Sequence, residues 1–173
     1  MPFDLQPVLT GALVAVRPLR ADDADLLYAV ARDPLIWAQH PVSDRHHRDV
    51  FAAFFTESLA SGGALAVTTP SGDVIGSSRY HGLDEQRGEV EIGWTFLSRA
   101  YWGGVVNGEL KALMLAHAFR FVPRVVFLVG PGNLRSQRAL TKIGAVPAGT
   151  RRDGSGRENF LFEVSRDSWA AVW

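Results

Sequence analysis

The stretch Ala100-Tyr101-Trp102-Gly103-Gly104-Val105-Val106-Asn107-Gly108-Glu109-Leu110-Lys111 follows a strand-like run, Glu89 to Leu97, and opens a strongly periodic helix. A glycine-bearing turn between a strand and a helix presents backbone N–H groups at the positive end of the helix dipole, where phosphate can sit. Gly103 and Gly104 tolerate positive φ and close approach of a ligand, and Asn107 stands where a side chain can cap the helix. Local pattern alone favours the plainer reading, an ordinary helix start with turn glycines, because short glycine motifs arise often by chance. No Gly-Lys-Ser/Thr follows, so it is not a Walker loop. The third glycine and later acidic residue of a dinucleotide fingerprint are missing as well.

Outward from this turn, regular elements alternate along the chain. Strands are predicted at Ala12 to Leu19, Ala64 to Thr69, Asp73 to His81, Glu89 to Leu97, Val125 to Val129, Ala145 to Arg152 and Glu158 to Val164. Pro70-Ser71-Gly72 and Asp153-Gly154-Ser155-Gly156 mark hairpin turns. Helices are predicted at Asp22 to Asp33, with Pro34 beyond its end, at Arg48 to Ser61, closed by Gly62 and Gly63, at Val106 to Phe121, and from Asn133 to Ile143, closed by Gly144. Ile36 to Pro41 reads as an irregular loop. In the long helix Leu110, Leu113, Met114, Ala118 and Phe121 form one apolar stripe. Val125 to Val129 is apolar throughout and reads as a central strand buried on both faces. The order implies one α/β domain over residues 1–173, with a mixed, partly antiparallel sheet of seven strands.

Composition excludes several functions. The 173 residues suit a single domain with a sizeable core. Eighteen basic residues balance eighteen acidic ones, so no overall field draws nucleic acid or anionic membrane. The absence of cysteine rules out disulfides, thiolate metal sites and cysteine nucleophiles. No apolar run approaches the ~18 residues of a membrane span. Val8 to Val16 is apolar, but Asp4 precedes it where a signal peptide carries positive charge. The expected location is the cytoplasm.

Alternation along Glu89 to Leu97 places Val90, Ile92, Trp94 and Phe96 on one face, read as core, and Glu89, Glu91, Gly93, Thr95 and Leu97 on the other. A partly desolvated Glu91 carboxylate would have a raised pKa and accept a proton from an ammonium group; the alternative is a solvent-facing glutamate, the reading preferred for Glu89. Ser136 joins the inward stripe Ser136, Ala139, Leu140, Ile143. It reads equally as a donor to a developing thiolate or oxyanion and as a small packing residue. His117 on the apolar stripe reads as a core histidine. Adjacent His46 and His47 cannot serve one metal from a helix, and no metal site is expected. Arg151, Arg152 and Arg157 read as a solvated hairpin face. No G-x-S-x-G elbow is present.

A series of short blocks, in order along nearly the whole chain, carries a resemblance. They are Arg17-Pro18-Leu19 with Asp22 to Asp25, Asp33-Pro34 with Ile36-Trp37, Val74-Ile75-Gly76-Ser77-Ser78-Arg79, Glu91-Ile92-Gly93-Trp94, and Tyr101-Trp102-Gly103 with Asn107 and Lys111. Then come Asn133-Leu134-Arg135-Ser136-Gln137-Arg138-Ala139-Leu140 with Lys142, Gly144 and Ala145, and finally Trp169. The chain resembles the GNAT superfamily of acetyl-CoA-dependent N-acetyltransferases, most closely the branch of ribosomal-protein N-terminal (alanine/serine) acetyltransferases.

The resemblance implies a splayed pair of central strands holding acetyl-CoA as co-substrate. Its pantetheine arm would pair with backbone near Thr95, Phe96 and Leu97. Its pyrophosphate would sit on the turn of Trp102, Gly103, Gly104, Val105, Val106 and Asn107, and Asn133 would bond the arm. An acceptor amine (protein N-terminus, peptide or small molecule) would meet Trp37, His40, Arg79 and Tyr80, the last two in the segment around Arg79 to Leu83. Glu91 would remove its proton and Ser136 would protonate the leaving thiolate, since no tyrosine occurs after Tyr101.

In one respect the sequence departs from the family's turn, Gln/Arg-x-x-Gly-x-Gly/Ala: Val105 and Asn107 replace the central glycine and the small residue. Valine disfavours positive φ, so either none is needed there or cofactor affinity is reduced. That departure motivates an alternative, a catalytically degenerate acyl-CoA-binding regulatory domain; an unrelated nucleotide-binding module is a third. Trp169 and Trp173 leave open packing on the domain itself or on a second copy in a homodimer.

Overall fold

The strand predicted at Glu89 to Leu97 forms with those bounds and lies at the centre of the molecule. The structure, a computed structural model, describes residues 1–171. Its strands are β1 (Leu9–Thr10), β2 (Ala15–Pro18), β3 (Ala64–Thr68), β4 (Val74–Asp84), β5 (Glu89–Leu97), β6 (Arg124–Val129), β7 (Val146–Arg152) and β8 (Glu158–Ser165). The helices are α1 (Ala24–Ala31), α2 (Pro34–Trp37), α3 (Arg48–Ala60), α4 (Val106–Ala118), α5 (Leu134–Lys142) and α6 (Arg166–Ala170). The sheet has eight strands in the order β1-β2-β3-β4-β5-β6-β8-β7, with β5 and β6 its one parallel pair. The eighth strand arises because the segment before Ala15 folds back as the short partner β1.

Several helix bounds differ from the sequence reading. The first predicted helix begins as a 3-10 turn, Ala21–Asp23, and stops at Ala31. Asp33 then caps α2 by accepting from the Leu35 N–H at 3.0 Å, so Ile36 and Trp37 are helical rather than loop. Arg17 grips Asp23 through two 2.8 Å bonds, fixing the start of α1 against β2.

The sheet is covered on both faces. One face packs Val14, Val16, Leu65, Val90 and Ile92 against Leu110, Met114 and Leu115 of α4 and Leu140 of α5. The other packs Ala64, Ala66 and Phe96 against Leu27, Trp37, Phe51, Phe54 and Phe55 of α1–α3. His117 is buried with its Nε2 2.7 Å from the Asp4 carbonyl, as a core histidine. Trp169 packs on Phe119 of its own chain, ring centroids 5.5 Å apart; Trp173 lies outside the described residues.

Simple alternation fails in the middle of β5. Trp94 has φ +53°, the one left-handed non-glycine among the described residues. Ser77 pairs with Phe96 and Arg79 with Gly93, so Trp94 and Thr95 together face Ser78. This β-bulge flips the side chains that follow it. Val90 and Ile92 face α4, whereas Trp94 and Phe96 pack on the α1–α3 side and Leu97 returns to the α4 side. The expected single core face of Val90, Ile92, Trp94 and Phe96 is thereby corrected.

A left-handed tryptophan costs of order 1–3 kcal/mol and persists only where its surroundings enforce it. Here Arg79 stacks on its ring at 4.2 Å and His81 meets it edge-on at 5.0 Å.

A long-range anchor holds the start of α4. Glu109 accepts backbone N–H bonds from Ala12 (3.0 Å), Leu13 (2.7 Å) and Val14 (2.8 Å), tying the β1–β2 turn to the helix. Glu109→Ala orphans three donors and should cost roughly 2 kcal/mol, a fall of about 4–8 °C in thermal midpoint for a domain of this size. Scanning calorimetry checks this; an unchanged midpoint would mean that solvent replaces the anchor.

Candidate active site

Parallel pairing between β5 and β6 is confined to Glu89, Val90 and Glu91 with Arg124, Val125 and Val126. Beyond Glu91 the two strands part, and a cleft of about 860 Å³ opens between them. The edge of β5 that faces β6 therefore carries unpaired backbone groups, while its other edge stays bonded to β4 through Leu97. Leu97 also accepts from the Trp102 indole at 3.0 Å, fixing the turn that follows.

At the mouth of the cleft, Gly103 has φ +69° with open space around it, the one place in the turn that needs glycine. Val105 has φ −82° and ψ −10°, ordinary right-handed geometry, and its side chain is 70% exposed. Valine is thus compatible with this backbone. Val105 itself is the N-cap, without a side-chain cap bond, so Asn107 is not the expected cap but a first-turn residue lining the cleft. Intrahelical bonding begins with the Glu109 N–H on the Val105 carbonyl. The N–H groups of Val106, Asn107 and Gly108 precede it and are free for an anion.

Glu91 stands where the strands part. Burial pushes its carboxyl up to about 7, against the pull of the Arg151 and Arg79 guanidiniums. Glu89, expected to face solvent, is instead buried in an ion pair with Arg151 (2.6 Å) and Arg124 (3.1 Å). Two arginines from distant strands stabilise it, a pairing invisible to local periodicity.

Lys111 of α4 lies beneath the bulge. Its Nζ donates to Thr95 Oγ1 at 2.6 Å, Thr95 and Ser78 share a 2.8 Å hydroxyl bond, and burial lowers the lysine to about 7. On the far wall, Asn133 caps α5 by accepting from the Ser136 N–H at 3.2 Å, and Ser136 lines the cleft beside it. Arg135 stacks on the Trp102 ring at 3.7 Å and donates to the Ile36 carbonyl at 3.0 Å, joining this wall to α2. Pro41 fills the space a Cβ on Gly130 would take, which seats the α2–α3 loop against the end of β6.

Most of the residues singled out from the sequence thus come together. Glu91, Thr95, Phe96, Leu97, Trp102, Gly103, Asn107, Asn133, Ser136, Trp37, His40 and Arg79 line one cleft. Gly104, Val105 and Val106 belong to the turn at its mouth. Tyr80 does not join them: it is buried on the α4 side, donating to the Met114 carbonyl at 2.7 Å, and its acceptor-side reading is corrected. His81 lines the cleft within the segment around Arg79 to Leu83 that was expected on the acceptor side, whereas Arg45, Glu57 and the β7–β8 hairpin residues Arg151, Arg152, Asp153 and Arg157 line it without having been expected there. The hairpin is more than a solvated face, because Asp153 organises its tip by accepting from the Ser155 and Arg157 N–H groups and from Asn159.

The chain belongs to the GNAT acetyltransferase family: the family model for the acetyltransferase (GNAT) domain matches residues 14–146. Solved structures agree in fold. An acetyltransferase-type structure from T. thermophilus is 28% identical, with 99% of this chain and 94% of that one covered at a TM-score of 0.78. A GCN5-related N-acetyltransferase from Brucella melitensis is 22% identical, with 96% and 81% covered at 0.80. RimJ of Mycobacterium smegmatis, in complex with CoA-disulfide, is 19% identical, with 92% and 85% covered at 0.70. No functionally curated protein matches the sequence. No helix among the described residues is long and apolar enough to cross a membrane.

Carbon-13 NMR of glutamate-labelled protein should show one carboxyl titrating near pH 7, as the position of Glu91 requires. That signal should vanish in Glu91→Gln. A spectrum in which every glutamate titrates between about pH 4 and 5 would mean that water reaches Glu91 freely.

Proposed function

We propose that the protein is an N-acetyltransferase that moves the acetyl group of acetyl-CoA to a primary amine by direct attack in a ternary complex. The observation that carries this reading is the juxtaposition, in one cleft, of the half-paired strand edge, the open N-terminus of α4 and the half-buried Glu91. GNAT acetyltransferases use acetyl-CoA, and the residues here fit it. The free N–H groups of Val106, Asn107 and Gly108 suit a pyrophosphate, Gly103 leaves room for it, and the unpaired edge of β5 near Thr95 suits an amide-bearing arm.

Acetyl-CoA would supply an activated acyl carbon. The acceptor nitrogen bonds to that carbon as the carbon–sulfur bond breaks, one proton leaves the nitrogen and one proton reaches the departing sulfur. Glu91 takes the first, directly or through water; a carboxylate near 7 is matched to that work at neutral pH. Ser136, at the start of α5, donates the second. Holding both partners in one cleft contributes more than either proton transfer. The ordinary geometry of Val105 removes one reason for reading the domain as degenerate.

Because Glu91 acts as a base, kcat/KM should rise with pH through about 7, where the carboxyl loses its proton, and level off above it. Glu91→Gln should lower kcat about 10²- to 10⁴-fold and abolish that rise, with acetyl-CoA affinity unchanged. A profile that keeps its shape in the variant would remove Glu91 from the mechanism.

The turn makes a separate forecast. Val105→Gly should leave the Kd for acetyl-CoA within about twofold, since no positive φ is required there, whereas Gly103→Val should weaken it roughly tenfold through strain at positive φ. Isothermal titration distinguishes the two; tighter binding by Val105→Gly would show that valine obstructs the site.

A further inference from the structure

Beside Glu91, on the α1–α3 side of the sheet, the cleft gathers guanidinium groups from three elements that are remote in sequence. Arg45, in the α2–α3 loop, lies over the ring of Phe54 at 4.4 Å and that of Trp37 at 5.5 Å, with its Nη1 3.4 Å from His40 Nε2. Arg79 of β4 is buried, bonded to Ser58 Oγ at 2.7 Å, with its Nε unpartnered and Glu57, at 3.6 Å, the one carboxylate within ion-pair distance among the described residues. Arg157 comes from the hairpin tip. Among the described residues neither Arg45 nor Arg157 has a carboxylate within ion-pair distance.

The lining of the cleft holds seven basic side chains (Arg45, Arg79, Lys111, Arg135, Arg151, Arg152, Arg157) against three acidic ones (Glu57, Glu91, Asp153). The chain as a whole is neutral, with eighteen of each. Two of the seven are paired outside the lining, Arg151 with Glu89 and Arg152 with Glu158, so the excess that remains at the site is carried chiefly by Arg45, Arg135 and Arg157. His40 reflects it: burial and then the Arg45 charge hold its imidazole down at about 4, with Arg157 adding to the effect, so it is an uncharged partner for Arg45.

The phosphate turn does not account for this group. That turn opens α4, on the opposite face of the sheet, whereas Arg45 rests on Phe54 of α3. Arg45, unpaired over two aromatic rings, and Arg157 at the exposed hairpin tip near it are suited to fork-like recognition of a carboxylate. They also repel a second cation, which penalises polyamines and lysine-rich peptides.

Building on the N-acetyltransferase reading, we propose that the acceptor is a small amine bearing its own carboxylate, of the amino-acid class, and that Arg45 and Arg157 hold that carboxylate while Glu91 faces the amine.

Two measurements test this with matched probes: the twenty amino acids and their amides as acceptors, and the twenty N-acetyl-amino acids and their amides as ligands. Turnover is read as CoA thiol release, to which a chain without cysteine adds no background. Binding is read by titration calorimetry. At least one acid should exceed its amide about 10- to 100-fold in kcat/KM and in affinity. Arg45→Gln should erase that preference, and Arg157→Gln, at an exposed tip where folding is not at stake, should reduce it. Acetyl-CoA affinity should be unchanged in both, and spermidine should be a poor acceptor.

Equal handling of every acid and amide, a preference that survives both substitutions, or a parallel loss of acetyl-CoA affinity (which would assign the anion to the cofactor's own phosphate) each overturns the proposal. Carboxylate binding that depends on Arg45 without turnover of any amine keeps the anion subsite and overturns the enzyme reading instead.

Discussion

The left-handed backbone at Trp94 is the constraint on which the site depends. A strand paired regularly on both edges leaves no room for a ligand, because its N–H and C=O groups are already satisfied. Pairing with β6 ends at Glu91, and the extra residue opposite Ser78 lies in the stretch of β5 that follows, where a bulge bends its strand. The same bulge turns Trp94 and Phe96 to one face and Thr95 to the other. The distortion lies along the free strand edge that borders the cleft, and it sends Thr95 to Lys111 while Trp94 turns to Arg79. The stacking of Arg79 and His81 on the indole helps hold a conformation that tryptophan rarely adopts.

Burial then tunes the chemistry. Glu91 and Lys111 start from opposite ends of the titration range, and desolvation brings both to about 7. Each loses charge because the cleft is poor in water. Glu91 becomes a base of matched strength. Lys111 can bond to Thr95 without placing a full, permanent charge under the strands. The Glu89 cluster works the other way: Arg124 and Arg151 compensate a carboxylate more deeply buried than Glu91 and leave it an anchor for the hairpin.

Much of this was legible in the sequence, and the failures share a cause. The bounds of β5 and the start of α4 follow from turn residues and periodicity, which are local. Asn133 is both a sequence cap signal and an observed cap. Gly93 beside Trp94 is a local bulge signal, but it does not show that Trp94 itself takes the left-handed backbone, so simple alternation assigned the faces of β5 wrongly beyond Ile92. Tyr80 and Glu89 were misplaced because their surroundings come from α4, β6 and β7, far along the chain. Arg45 and the hairpin arginines look like ordinary surface charge until folding brings them over one cleft. A basic surplus within a neutral chain leaves no trace in composition.

Thermal denaturation with saturating acetyl-CoA, against ATP and NAD as controls, tests the central claim most directly. A ligand at about 100 times its Kd should add roughly 2.7 kcal/mol, a rise of about 5–10 °C in a domain of this size. The account predicts that rise with acetyl-CoA alone. No rise, or an equal rise with ATP or NAD, would mean that the cleft between β5 and β6 is not an acyl-CoA site, and would contradict the assignment of an acetyl-transfer reaction to it.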